Sequence, residues 1–226
     1  MSGARSSTRS STKSELDASG GTCRMIFRRG RSSQSTSIHG SEKAYSSTST
    51  TYCVLVCERP KCRDEEPSLG IIDSQSVKTT EAGGPKGFDA GKKVKGRKRH
   101  VLVDVLGLLV VVVVTVASVQ DRDAVPALLR AGKEMSDRLV NVLVDGAYSG
   151  DVVDRASSQT GVNVTMVKRP DVKGFVVVPK RWIVERSFGW MNRDRRLSKD
   201  YERTVDSSEA WIQLSFVARM ARRLAA

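Results

Sequence analysis

Histidine is nearly absent from this 226-residue chain, which has only His39 and His100. That leaves little basis for a hydrolase built around an imidazole base. The short motifs of serine esterases, P-loop nucleotide hydrolases and dinucleotide enzymes are missing too: there is no GxSxG, no Walker A run and no GxGxxG. The four cysteines, Cys23, Cys53, Cys57 and Cys62, fit no common zinc spacing and form no paired CxxC knuckles, so incidental reduced thiols are the default. The longest apolar run, GLLVVVVVTVASV (107–119), is too short to span a bilayer and is valine-rich, which predicts a buried strand. No charged, apolar and small-residue regions follow one another in the secretory order. The Arg/Ser-rich start MSGARSSTRSSTKS has some transit-peptide character, which low-complexity sequence imitates easily. Acidic residues are in deficit. The resulting net charge of +13 and pI near 9.9 point to a polyanionic partner, nucleic acid first and an acidic membrane surface second.

The composition shifts sharply near residue 65. Of the first 50 residues, 21 are Ser or Thr. No apolar period of 2 or 3.6 persists there, so residues 1–64 are expected to be mostly disordered, with short strand character in TTYCVLVC (50–57). From residue 65 to 226 the chain reads as one folded α/β domain. GIIDSQS predicts a short strand ending at Asp73, and a glycine-rich loop (81–91) leads to the basic run KKVKGRKRH (92–100). That run enters a hairpin turning at Gly107, whose second strand is the valine run. Asp121 stands where a helix N-cap belongs. LVNVLVDGAYSG predicts a buried strand ending at Asp145, followed by a short helix (151–159) and a strand (162–169). RWIVERSFGWMNRDRRL (181–197) predicts an amphipathic helix, and residues 208–224 a last helix rich in arginine on one side. The sum is a mixed sheet flanked by helices on both faces.

Three acids stand out by position. Asp73 and Asp145 each close an apolar strand, so both can project from one sheet edge, and Glu185 lies beside the buried stripe of a late helix. Such an oxygen-only set suits Mg²⁺ or Mn²⁺. Two such ions can promote in-line phosphoryl displacement. Each acid also has a plainer reading: Asp73 and Asp145 as turn residues, Glu185 as the ion-pair partner of Arg181 or Arg186. Asp104, inside the hairpin, is expected to face solvent.

The blocks IIDSQSVKTTEAGGPKGFDAGKKVKGRKRHVLVDVLGLL, LVDGAYSG, VKRPDVKGFVVVPKRWIVERSFGWMNRDRRLSKDYE and SSEAWIQLSFVARMARRL resemble bacterial insertion-sequence transposases of the DDE superfamily, most closely the group named after insertion sequence five. The resemblance runs from about residue 64 to 224. It implies a ribonuclease H-like catalytic domain whose acids fall on Asp73, Asp145 and Glu185 and hold two Mg²⁺ ions, with Mn²⁺ as a substitute. The implied activity is cleavage of double-stranded DNA at the element's ends and strand transfer into target DNA, in the bacterial cytoplasm on the nucleoid. A homo-oligomer is expected and no membrane partner. Arg181 matches an arginine that in relatives contacts the DNA backbone. The second basic position, seven residues past Glu185, is Asn192, with Arg193 next to it. A tyrosine found in some relatives is Val178 here. Phosphate contacts are expected from Lys78, Lys92, Lys93, Lys95, Arg97, Lys98, Arg99, Arg181, Arg186 and Arg193, while Trp182 and Trp190 read as packing residues.

The chain departs from the resemblance at its front. Relatives carry a helical region rich in Trp, Leu and Arg that helps bind the element's ends, and residues 1–63 show none of that pattern. Their Ser/Arg/Cys bias resembles a segment translated out of frame. Two other readings stay open: a catalytically idle DNA-binding fragment that competes with full-length transposase, and a metal-dependent nuclease that does not join ends.

Overall fold

A computed structural model describes residues 23–29, 51–57, 66–167 and 180–224. The strands are β1 (Cys23–Arg29), β2 (Thr51–Cys57), β3 (Leu69–Lys78), β4 (Gly87–Asp89), β5 (Val94–Asp104), β6 (Leu109–Val116), β7 (Asn141–Val144) and β8 (Asn163–Met166); the helices are α1 (Val125–Met135), α2 (Asp151–Thr160), α3 (Trp182–Asn192) and α4 (Val205–Leu224). Within the segment expected to be disordered, β1 and β2 pair as an antiparallel ribbon; the rest of residues 1–64 lies outside the described residues, as do the cysteine side chains.

The main sheet has six strands. β3, β5 and β6 run antiparallel in sequence, and β7 and β8 then add parallel strands on the other edge of β3, with β4 extending the β6 edge of β5. Strand alternation divides the core into two layers. Ile72, Leu102, Val142 and Val144 pack with Leu128 and Leu129 of α1 and Val153 of α2. Ile71, Val101, Val103 and Val112 pack on the opposite face with Val184 and Phe188 of α3 and Ile212 and Phe216 of α4. The valine run is therefore covered on both faces, as its lack of alternation predicts. The ribonuclease H-like expectation holds: three antiparallel strands continued by two parallel ones, with helices on both sides.

Three local expectations are corrected. Asp73 does not end its strand, because β3 continues to Lys78 through Ser, Gln and Ser residues that pair with β5. Asp121 does not cap a helix; it opens a short 3-10 turn (Asp121–Ala124), and its Oδ1 lies 2.9 Å from Lys98 Nζ. Asp104 is half-buried, and its Oδ1 accepts from the amides of Leu106 (2.8 Å) and Leu108 (2.7 Å), tying the β5–β6 turn. Gly107 completes that turn at φ +78, and a Cβ there would meet Ser187 Oγ at 2.8 Å, so only glycine fits beneath α3.

Candidate active site

The parallel pairing of β3 with β7 fixes the first two acids. Ile71 is in register with Leu143, and carrying that register two residues on brings Asp73 of β3 level with Asp145, the residue just past the end of β7. Because strand side chains alternate, both acids share the face of Ile71 and Leu143, which is the α3 face. Asp73 is half-buried, and its Oδ1 accepts the Ser74 amide at 2.7 Å. Burial pushes the Asp73 carboxyl up from 3.8 to about 6; Asp145 raises it further, while the Ser74 amide, Arg181 and Lys92 oppose the rise. Asp145 is both a turn residue and a facing carboxylate. Its Oδ1 accepts the Ala147 amide at 2.7 Å, and its Oδ2 lies 3.6 Å from Arg181 Nη1.

Glu185 stands in the first turn of α3, where the helix dipole favours an acid. Its side chain is 59% exposed, and its Oε1 lies 3.6 Å from Arg181 Nη2. One guanidinium thus bridges Asp145 and Glu185. The residue before it, Lys180, has a left-handed backbone at φ +65, a strained conformation for a side chain other than glycine. The donor chemistry of Asp73, Asp145 and Glu185 fits a hard divalent cation. Among the described residues, however, no three metal-binding side chains converge closely enough to hold one. Arg181 joins the acids as ion-pair partners instead, so holding a cation between Asp145 and Glu185 requires that guanidinium to give way.

The basic run divides in two. Lys92, Lys93 and Lys95 are exposed, and Lys92 Nζ donates to the carbonyl oxygen (3.0 Å) and Oγ (3.1 Å) of Ser74, beside Asp73. Lys78 is exposed at the end of β3. Arg97, Lys98 and Arg99, expected to contact phosphate, are buried and held within the fold. Arg97 pairs with Asp200 at 3.2 Å and donates to the carbonyls of Pro85, Arg203 and Thr204. Lys98 pairs with Asp89 (3.2 Å) and Asp121 (2.9 Å), and Arg99 donates to the carbonyls of Leu197 and Lys199. The reason is the period of two: β5 lies between two helical layers, so successive basic side chains enter opposite covered faces and must find partners there. Arg186 is half-buried and also has partners in the fold. It donates to the Leu106 carbonyl at 2.8 Å and stacks on Trp182 and Trp190, at 4.6 and 4.9 Å from the ring centroids. Arg181 lies at the carboxylates, and Arg193 is exposed at the end of α3. Trp190 is half-buried, and Trp182 is 45% exposed yet engaged by Arg186.

Sequence reasoning missed the polar group behind Asp73, on the other face of β3. There Lys98 joins Asp89 and Asp121, and Ser76 Oγ donates to Asp89 Oδ2 at 2.6 Å. Tyr148 is buried on that side, its hydroxyl pushed well above its ordinary pKa, by burial first and then by the charge of Asp73. The only available signal was alternation along β5, which sends Lys98 to the face opposite Arg97 and Arg99.

Residues 64–221 match the transposase DDE domain family. The chain belongs to that family. Its members are enzymes of divalent-metal-dependent phosphoryl transfer on nucleic acid. A Burkholderia cepacia protein named as the transposase for insertion sequence element IS402 is 28% identical over 151 residues, which cover 64% of this chain and 70% of that protein. Among solved structures, a chain of the simian T-cell lymphotropic virus intasome with PP2A regulatory subunit B56 gamma aligns at TM-score 0.44 and 14% identity, covering 68% of this DDE-family chain and 50% of its own. The dimeric HTLV-2 integrase catalytic core domain in complex with magnesium aligns at TM-score 0.42 and 14% identity, covering 68% and 88%. No helix among the described residues is long and apolar enough to cross a membrane.

Proposed function

We propose that this DDE-family chain is an insertion-sequence transposase, in the group named after insertion sequence five, that cuts double-stranded DNA at its element's ends and joins the freed ends to target DNA. The observation that carries this reading is the placement of Asp73 and Asp145 side by side at the β3–β7 junction, with Glu185 linked to Asp145 through Arg181. Asp73, Asp145 and Glu185 would hold two Mg²⁺ ions, or Mn²⁺ in their place. The chemistry such ions supply when bound is Lewis acidity for an in-line displacement at phosphorus.

The chain's own residues supply the rest. Lys92, beside Asp73, and Lys78, at the end of the same strand, would take phosphate oxygens of the bound duplex; Lys93 and Lys95 extend that row. Arg181 would exchange carboxylate for phosphate as DNA arrives, which frees Asp145 and Glu185. Water, then a DNA 3′-hydroxyl, would serve as successive nucleophiles, so no protein nucleophile is needed. The protein would act as a homo-oligomer in the bacterial cytoplasm, on nucleoid DNA.

The test is incubation of the full chain with labelled element ends, target plasmid and Mn²⁺, scoring nicked and strand-transfer products. Both products are expected from the unmodified protein, and neither from Asp145→Ala, which should retain duplex binding. Nicking without joining would favour a simple nuclease. Binding without either product would favour an idle fragment that competes with full-length transposase.

A further inference from the structure

Trp190 of α3 is ringed by guanidinium groups. Those of Arg186, Arg219 and Arg223 lie 4.9, 4.5 and 4.8 Å from its ring. Arg186 is tethered to the Leu106 carbonyl, whereas the α4 arginines have no such anchor among the described residues. Arg219, Arg222 and Arg223 stand at i, i+3 and i+4 and therefore share one face of α4. Arg193, arriving from the end of α3, adds a charge close enough to act on Arg219. Arg193, Arg222 and Arg223 are exposed.

No carboxylate among the described residues forms an ion pair with any of these four arginines. Burial first, then the charges of Arg223, Arg222 and Arg193, hold Arg219 below the ordinary arginine pKa. The bland account is helix chemistry, since cations in a last turn gain roughly 0.3–1 kcal/mol from the dipole. That accounts for Arg222 and Arg223 at the end of α4 and for Arg193 at the end of α3, but not for one indole fixing several like charges together. Stacking on a tryptophan holds a guanidinium in place while leaving its N–H edge open to a ligand. A ligand that matches several fixed, unpaired arginines without base-reading geometry is a row of backbone phosphates. Glu185 and Trp190 are five residues apart on α3, about 140° around the helix, so this surface faces away from the carboxylates.

We infer that Arg219 and Arg223, ordered on Trp190, together with the neighbouring Arg222 and Arg193, form a second surface that grips the phosphate backbone of duplex DNA outside the carboxylate edge. The identity of its ligand rests on the transposase reading above.

The experiment uses the full chain in EDTA and a fluorescein-labelled duplex of about 30 base pairs of arbitrary sequence. Anisotropy titrations run from about 50 to about 300 mM KCl. Each phosphate contact contributes about 0.9 to the log–log salt slope. Arg219→Ala/Arg222→Ala/Arg223→Ala should therefore flatten the slope by about 2 to 3 and weaken binding at least tenfold at about 100 mM salt. Arg222→Glu carries the test with little effect on packing, because Arg222 is exposed; a flatter slope by about 1 and roughly fivefold weaker binding are expected. Unchanged slope and affinity in Arg222→Glu overturns the inference. So does a loss of binding to phosphatidylserine vesicles or polyglutamate with duplex binding intact. Because EDTA removes catalysis, the two proposals fail separately. Variant-sensitive binding without Mn²⁺-dependent products sinks the transposase reading alone, and products with variant-insensitive binding sink this surface alone.

Discussion

Asp73 should be held ionised at a cost to the fold, and Asp73→Asn measures that cost. Its carboxyl is raised from 3.8 to about 6, chiefly by burial. At about 1.36 kcal/mol per pH unit, a rise of that size makes the ionised folded state about 3 kcal/mol less stable than an unperturbed aspartate would leave it. The sign follows from proton binding. Between pH 4 and 6 the folded protein binds more protons than the unfolded chain, so stability is greatest below about pH 4 and falls as pH rises through 6. Asparagine keeps the oxygen that accepts the Ser74 amide and never ionises. In urea melts with EDTA, Asp73→Asn should be more stable than the parent by about 2 to 3 kcal/mol at pH 7.5. The two should converge near pH 4, and the variant should yield no Mn²⁺-dependent products. Equal or lower stability of the variant at pH 7.5 would refute the claim that burial strains this acid.

Other outcomes follow from neighbouring chemistry. Arg97→Met breaks a pair with Asp200 in which both side chains are fully buried, so urea melts should show a loss of about 3–5 kcal/mol. The folded fraction should bind duplex as the parent does, since Arg97 presents no charge to solvent; weaker binding at unchanged stability would restore the phosphate-contact reading of Arg97. Glu209 of α4 accepts the Val114 amide at 2.8 Å, and burial raises its carboxyl from 4.5 to about 7. Glu209→Gln should match the parent below about pH 4.5 and exceed it by about 3 kcal/mol above pH 8, read from thermal melts across that range. For residues 1–63, translating the other frames of the gene upstream of codon 64 should recover a helical, family-like sequence; if no frame does, the out-of-frame origin is wrong.

The parts of the fold that could be read from sequence are those set by short-range pattern. The valine run, the Gly107 turn, the LVDG strand end and the amphipathic stretch around Glu185 each carry a local signal, and each became the expected element. The end of β3 was misread because SQSVK has little apolar content; it is a strand through pairing with β5, whose register runs from Lys78 opposite Gly96 to Ser74 opposite His100, well beyond local sequence range. The basic run was misread for a related reason. Composition shows charge, but only the folding of the 197–204 segment over Arg97 and Arg99, and of Asp89 and Asp121 against Lys98, shows that the three are enclosed.

The sequence by itself determined which acids could matter, because Asp73, Asp145 and Glu185 are set by residue type, by their apolar neighbours and by the motif blocks around them. It also determined the excess of positive charge. Only the tertiary structure decided how that charge is spent. Long-range strand register put Asp73 level with Asp145, and the approach of α3 placed Arg181 across Asp145 and Glu185. The packing of α4 beside α3 gathered arginines from two helices onto Trp190. Charge at a distance along the chain becomes a site only when backbone pairing and core packing fix which side chains meet.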